Sequence, residues 1–301
     1  MKPRIFHVDA FTKAPLRGNS AGVVLDADGL STQQMQSMAR ELRHSETAFV
    51  LRSDAPDCDI RVRYFTPTTE VPICGHATIA THYARALHLN LGATLVHQQS
   101  LAGRHAVRVL SVDGDYRIAM EQGPVQFEPP LDAALRREIA AALGLAVSDL
   151  DATLPVQVVS TGHSKVMLPL RSSVDLDAIE PDHAALSALS ARIGCNGFFP
   201  FRLRAHQHAS DGRMFAPAIG IPEDPVTGNA NGPLGAYIVR HSLLPHDGQQ
   251  LRLRGHQGRR LGRDGVVDVC VDIVRQEPVR VVITGDAVVL FSAELAVELG
   301  P

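Results

Sequence analysis

Glu46 stands in the stretch His44-Ser45-Glu46-Thr47-Ala48-Phe49-Val50-Leu51, where a helical pattern has just ended and a strand-like run begins. Small hydroxylated residues flank it, and apolar ones follow. Desolvation by apolar neighbours disfavours a carboxylate's charged form, which raises its pKa and suits it to trade protons near neutral pH. On position alone a solvated strand-edge charge is the simpler reading. The case for chemistry therefore depends on what the rest of the chain supplies.

A second carboxylate, Asp224, lies in Ile221-Pro222-Glu223-Asp224-Pro225-Val226-Thr227-Gly228-Asn229-Ala230-Asn231-Gly232. Two prolines stiffen the backbone around it, just before a helix start. It could accept a hydrogen bond from a substrate amine or hydroxyl, or share protons with Glu46. It could equally cap the helix. Asn229 and the backbone N–H groups of Gly228 to Ala230 would grip an anion at the helix N-terminus. His76 holds the corresponding place in Cys74-Gly75-His76-Ala77. A helix N-terminus lowers a histidine's pKa and favours neutral imidazole, which can donate a hydrogen bond or relay a proton. A lone histidine can also be simply buried and satisfied. Cys74 would matter in a racemase built on two facing thiols, but the second half offers Gly228-Asn229-Ala230 and no cysteine. Cys74 thus reads as a small core residue.

Other chemistries lack their motifs. Cys58, Cys74, Cys195 and Cys270 are scattered, with no Cys-x-x-Cys and no zinc-ligand spacing with histidine. His206 and His208 lie in a polar loop-like stretch. There is no phosphate loop, dinucleotide fingerprint or nucleophile elbow. What remains is acid–base chemistry on a small anion, with no metal and no cofactor expected. The 301 residues carry a net charge of −3 with both signs mixed, which gives no basis for binding nucleic acid or an anionic membrane. With no Trp and 5% aromatic residues, base-stacking platforms are not expected either. The 45% hydrophobic content suits a globular protein with ample core. The N-terminal residues regain charge too early for a signal peptide, and no apolar run is long enough to span a bilayer. A reduced, cytoplasmic protein is expected.

These residues need elements to hold them. Strand patterns fall at 4–11, 22–25, 60–65, 93–97, 104–111 and 116–121. Ser31 with Gln34 forms a capping box for a helix presenting Met35, Met38, Ala39 and Leu42. A small-residue helix opens at Gly75. Residues 121–132, with three prolines and a glycine, are the linker candidate. Leu135, Ile139 and Leu143 mark a helix stopped by Gly144, and a second runs from about 182 to 193. Between these two helices, 156–168 reads as a strand pattern with a bend at Gly162-His163-Ser164. The tail is strand-like through Phe291, and a short terminal helix is expected after it.

The chain also repeats itself. Arg63-Tyr64-Phe65-Thr66-Pro67 matches Arg213-Met214-Phe215-Ala216-Pro217, and each is followed by a Pro- and Glu-containing loop, a glycine and a small-residue helix ending at a tyrosine. Phe215 follows Phe65 by 150 residues and Gly228 follows Gly75 by 153, so the second loop is three residues longer. Gly18-Asn19-Ser20 and Gly162-His163-Ser164 are a weaker echo. The expected fold is therefore α+β, in two pseudo-symmetric halves, each a bent antiparallel sheet or barrel around a central helix. Residues 1–122 would form the half carrying Glu46 and 132–286 the half carrying Asp224. The segment 287–301 would pack back on the first half, and the active site would lie in the cleft between halves. Both small-residue helices would point their N-termini there, their free N–H groups and positive dipole ends suited to a carboxylate. The glycines alone could instead serve only tight turns and close packing.

The segments HVDAFTKAPLRGNSAGVV, HSETAFV, RYFTPTTEVPICGHAT, STGHSKVMLPL, GCNGFFPF and GRMFAPAIGIPEDPVTGNANGPLGAYI resemble the phenazine-biosynthesis PhzF-like isomerase family over nearly the whole chain. The resemblance implies the diaminopimelate epimerase-like fold. It implies a cofactor-independent isomerase, since in the phenazine enzyme a glutamate at the HSETAFV position moves a proton between two carbons of a dihydro-hydroxyanthranilate. That role falls on Glu46, with His76 and Asp224 as the family's histidine and aspartate. Asn19, Ser20, Gly75, Gly228, Asn229 and Ala230 would hold a small carboxylate substrate. Where the phenazine enzyme has serine after the Thr-Gly pair, this chain has Asn229. A homodimer is expected on the same basis. An amino-acid racemase or epimerase, and a non-catalytic small-acid-binding protein of the same fold, are the alternatives.

Overall fold

The computed structural model describes residues 3–295, and the expected terminal helix falls largely outside them. The fold is α+β and divides into two compact units, residues 1–121 with 284–301, and residues 122–283.

In the first unit the chain runs through β1 (Arg4–Ala10), β2 (Asn19–Leu25), α1 (Thr32–Leu42), β3 (Thr47–Arg52), β4 (Ile60–Phe65), β5 (Glu70–Val71), α2 (Gly75–Leu89), β6 (Thr94–Ser100), β7 (Gly103–Val112) and β8 (Asp115–Glu121). The late strand Ala287–Glu294 pairs antiparallel with β1, which pairs on its other side with β2. Most pairings are antiparallel, but β2–β3 and β4–β6 are parallel. A parallel pair cannot be closed by a tight hairpin and needs a longer crossover. Helix α1 supplies that crossover between β2 and β3. Both hydrogen bonds of the Ser31–Gln34 capping box are present. Met35, Met38 and Ala39 of α1 pack on Val24, Phe49 and Phe65.

Helix α2 is the centre of this unit. It packs against β1, β2, β3, β7, β8 and Ala287–Glu294. Every residue from Gly75 to Ala84 is buried. A helix buried all round cannot carry a polar face, which explains its weak amphipathic signature and its alanines.

The second unit contains β9 (Gln126–Pro130), α3 (Ala133–Ala142), β10 (Gln157–Ser160), β11 (Ser164–Pro169), α4 (His183–Ile193), β12 (Phe198–Arg204), β13 (Ala209–Gly212), β14 (Met214–Ala216), β15 (Ile221–Asp224), α5 (Gly228–Arg240), β16 (Gln250–Gln257), β17 (Gly265–Val274) and all but the last two residues of β18 (Glu277–Gly285). Helix α5 packs against β10, β11, β16 and β17. The Pro-rich stretch read as a linker is partly built into this unit, because Gln126–Pro130 pairs with β10. Prolines suit a strand where the ladder does not need their missing N–H.

The internal repeat is physical as well as textual. In the first unit the Arg63 guanidinium grips Glu70 with two hydrogen bonds of 2.7 Å and lies 5.0 Å over the Phe65 ring. In the second, Arg213 grips Glu223 at 2.9 and 2.7 Å and lies 4.9 Å over Phe215. Planar guanidinium matches carboxylate bidentately and stacks on aromatic faces, so one device holds the loop before each buried helix.

The backbone gives a finer alignment. Gly22 N–H donates to the Glu46 carbonyl at 3.2 Å across the parallel β2–β3 pair. Val166 N–H donates to the Gly197 carbonyl at 2.9 Å across the parallel β11–β12 pair. Glu46 therefore corresponds to Gly197. A Cβ at Gly197 would collide with the Phe215 carbonyl and the Met214 methyl, so that position has no room for any side chain. With Gly75 matched to Gly228, Cys74 corresponds to Thr227 and His76 to Asn229.

Candidate functional site

Glu46 is the last residue before β3, and its side chain turns inward, leaving the residue 8% exposed. Gly22 makes this possible, since a Cβ there would strike the His44 ring and the Thr47 hydroxyl. The sequence-expected partner His76 lies in the first turn of α2, also buried, with Nε2 3.3 Å from Glu46 Oε2. That approach lacks hydrogen-bond geometry, and Glu46 Oε2 is a buried oxygen with no hydrogen-bond partner. Such an oxygen normally costs about 1–3 kcal/mol, and among the described residues Thr81 Oγ1, Ser210 Oγ and Asn231 Oδ1 share that state, so what sets Glu46 apart is the imidazole beside it.

Two residues that the sequence did not assign complete the group. Ser45 Oγ lies 3.3 Å from His76 Nε2. Cys74, expected as core, is buried, but its Sγ is 3.4 Å from His76 Nδ1 and 3.9 Å from Nε2. One donor atom from each of Glu46, Cys74 and His76 falls within a 4.8 Å span. Residue spacing could not reveal this set, because Glu46 arrives from β3 and the other two from the start of α2.

The N-terminus of α2 has no side-chain cap. Its first-turn amides, Gly75 and His76 among them, are thus donors of the kind that bind carboxylates. Behind them a buried chain locks the helix: Tyr64 OH meets Thr78 Oγ1 at 2.6 Å, Gln98 Nε2 donates to Tyr64 OH at 2.7 Å, and Gln98 Oε1 meets His82 Nε2 at 2.9 Å. Burial pushes His82 down to about 4, so it is neutral at physiological pH. Asn19 and Ser20 begin β2. Because Gly22 lies beside Thr47 in the parallel pair, they sit at the same end of the sheet as Glu46.

In the second unit Asp224 ends β15, and its carboxylate Oδ2 accepts a short hydrogen bond from Thr227 Oγ1. Thr227 is the N-cap residue of α5, and no side chain caps that helix. Asp224 thus engages the hydroxyl of the cap residue rather than a first-turn amide. Gln257, from distant β16, ties the loop together. Its Nε2 donates to the Asp224 carbonyl at 2.7 Å, and its Oε1 accepts from Thr227 N–H at 3.1 Å. Asn229 Oδ1 accepts from Gln122 Nε2 at 3.0 Å, and Gln122 Oε1 accepts from Thr161 Oγ1 at 2.8 Å. Gly232 is required here, since a Cβ would collide with the Gln122 amide. Gly228 and Ala230 flank Asn229 in the uncapped first turn.

Lys165 carried no signal in the sequence. It is 4% exposed in β11, aligned with Ala21 of the first unit, and its ammonium makes one hydrogen bond among the described residues, to the Ser164 carbonyl at 3.3 Å. Burial pushes it down to about 8 from its ordinary 10.5, opposed by the nearby Cys195 and Asp224. Between these values the unfolded chain binds more protons, so stability rises with pH across that window. Below about pH 8 the penalty is present in full. Lys165→Met should therefore be more stable than wild type at pH 7 by on the order of 3 kcal/mol, with the gap closing by about pH 10.5. Urea melts of both proteins at pH 7 and 10 measure this, and a gap that does not shrink would refute it.

The PhzC-PhzF family model, described as phenazine biosynthesis-like protein, matches residues 8–293. The chain is 60% identical to the uncharacterized isomerase YddE of Escherichia coli K12, over 99% of this chain and 100% of that one. It is 34% identical to trans-2,3-dihydro-3-hydroxyanthranilate isomerase of Pseudomonas chlororaphis, covering 93% and 95%. Among solved structures, the PhzF-family protein of Bacillus anthracis superposes with TM-score 0.87 at 33% identity, covering 99% and 100%. A hydroxyproline epimerase from Agrobacterium vitis shares the fold, with TM-score 0.62 at 13% identity, covering 98% and 94%.

Proposed function

Because this chain belongs to the phenazine biosynthesis-like PhzC-PhzF family and is an isomerase, we propose that it moves a proton between carbons of a small carboxylate-bearing substrate without a cofactor, Glu46 serving as the single general base and then the general acid. The observation that carries this reading is the Glu46 Oε2 atom, buried, with no hydrogen-bond partner, 3.3 Å from the His76 imidazole. A carboxylate oxygen in that state is ready to accept a carbon-bound proton, and in this reading the His76 imidazole orients the carboxyl group that results.

In the mechanism, Glu46 takes a proton from an activated carbon of the substrate. The negative charge that develops spreads into the substrate's conjugated carboxylate. Uncapped first-turn amides of α2 offer donors for that carboxylate. The proton then returns from Glu46 to a second carbon on the same face. Gly197 at the position equivalent to Glu46, and Thr227 at that of Cys74, supply no matching acid–base group in the second unit. This favours one base over the two-base arrangement a racemase would use.

Incubating a panel of small unsaturated and amino carboxylates in D₂O, with NMR detection of carbon-bound deuterium, tests the reading. The expected result is an isomerised product labelled at the receiving carbon, with part of the original hydrogen retained because one base carries it. Tight binding of a panel member with no exchange at any carbon would instead identify a non-catalytic binding protein.

A further inference from the structure

Of the 29 basic residues in the chain only three are lysines, Lys2, Lys13 and Lys165, and the rest are arginines. Lys165 is set inside the protein, 4% exposed. A chain that draws nearly all its positive charge from arginine thus uses lysine at this buried place. Lysine offers what arginine cannot, a compact amine that can give up its proton and act as a nucleophile.

Strand parity sets the direction of its side chain. Val166 and Leu168 belong to the core built with α3 and α4. Side chains alternate along a strand, so Lys165 faces the other side of β11, where α5 packs. Asp224 is close enough there to oppose the loss of its charge. Among the described residues the ammonium nevertheless makes no ion pair, only the 3.3 Å bond to the Ser164 carbonyl, which leaves two of its three donors unused. The Asp224 carboxylate also accepts from the hydroxyl of Thr227, the N-cap residue of α5. One carboxylate thus neighbours both a buried amine and an uncapped helix N-terminus. The Gly228 and Asn229 N–H groups of that first turn lack intrahelical partners and suit a carboxylate.

We propose that this corner of the second unit binds a small 2-oxo acid, its carboxylate on the Gly228 and Asn229 amides and its carbonyl carbon joined reversibly to Lys165 as an imine. The free amine attacks the carbonyl carbon. A C–N bond forms, and one nitrogen-bound proton passes to the carbonyl oxygen. The hydroxyl so made leaves as water with the second nitrogen-bound proton, and a C=N bond remains. No electrons are gained or lost overall. Asp224, beside the amine, carries these protons. Burial holds Lys165 near 8, so about half of it is free amine at pH 8, against less than about one per cent of an ordinary lysine. None of this rests on the role of Glu46.

Glyoxylate, the smallest such acid, tests the site at pH 8, with cyanoborohydride to fix imines as they form. Peptide mass spectrometry then locates the carboxymethyl-lysine. Lys165 should be labelled at least about tenfold faster than the exposed Lys13. Acetaldehyde has no carboxylate, so its ratio of Lys165 to Lys13 labelling should be several-fold lower than that of glyoxylate. In urea the preference for Lys165 should vanish with both reagents. Labelling of Lys165 no faster than Lys13, or a preference that survives unfolding, overturns the site. Equal ratios with glyoxylate and acetaldehyde overturn the oxo-acid assignment.

Discussion

Glu46→Gln lowers turnover by about 10³–10⁴-fold, the upper part of the range for removing a general acid–base group. Glutamine keeps the size of the side chain but cannot accept a proton from carbon at neutral pH. With Gly197 at the equivalent place in the second unit, no second carboxylate stands in for it there. Substrate binding should change little, because the proposed carboxylate contacts come from helix-terminal amides, so the loss falls on kcat and KM stays within a few-fold. The fold should survive, since the substitution removes a buried charge without creating a cavity. Steady-state kinetics with a near-wild-type melting curve check the prediction. Turnover within tenfold of wild type would remove Glu46 from its role.

Glu223→Ala should destabilise the protein by about 3–5 kcal/mol, the cost of stranding one partner of a buried ion pair. The Arg213 and Glu223 side chains are 6% and 12% exposed, and Arg213 Nη1 also donates to the Leu176 and Ile179 carbonyls at 2.8 and 2.7 Å. Without Glu223 the guanidinium keeps its charge inside the unit with two carbonyl dipoles and the Phe215 ring to face, and no anion among these partners. The repeat provides a control. Arg63 and Glu70 are 14% and 22% exposed, so water can partly replace the lost partner. Glu70→Ala should therefore cost clearly less, about 1–3 kcal/mol. Urea unfolding followed by circular dichroism compares the two, and equal losses would count against burial as the cause.

Local patterns carried well where one residue's neighbours decide its state. The Ser31–Gln34 capping box needs only residues within one helical turn, and both of its hydrogen bonds form. The glycines after α3 and α4 take positive φ, 68° at Gly144 and 75° at Gly194, as helix ends require. Strand β9 was hidden by its prolines, because proline content describes the backbone's own preference and says nothing of a partner strand such as β10. Parallel pairings were equally hidden, since a strand's pattern records which face is buried and not which way its neighbour runs.

By itself the sequence determined that the chain contains two related halves, each with a buried small-residue helix behind a glycine, and that Glu46, His76 and Asp224 sit at the ends of elements. Those facts follow from residue types and short spacings. Only tertiary structure decided which of these groups meet. It set the Cys74 thiol beside His76, left Glu46 Oε2 buried without a donor, tied Asp224 to Thr227 and Gln257, and buried Lys165 where the first unit has alanine. Approaches such as Glu46 to His76 and Gln257 to Asp224, between residues some thirty positions apart, depend on strand register and helix placement. Those are set by packing of the whole unit, and no local stretch of sequence records them.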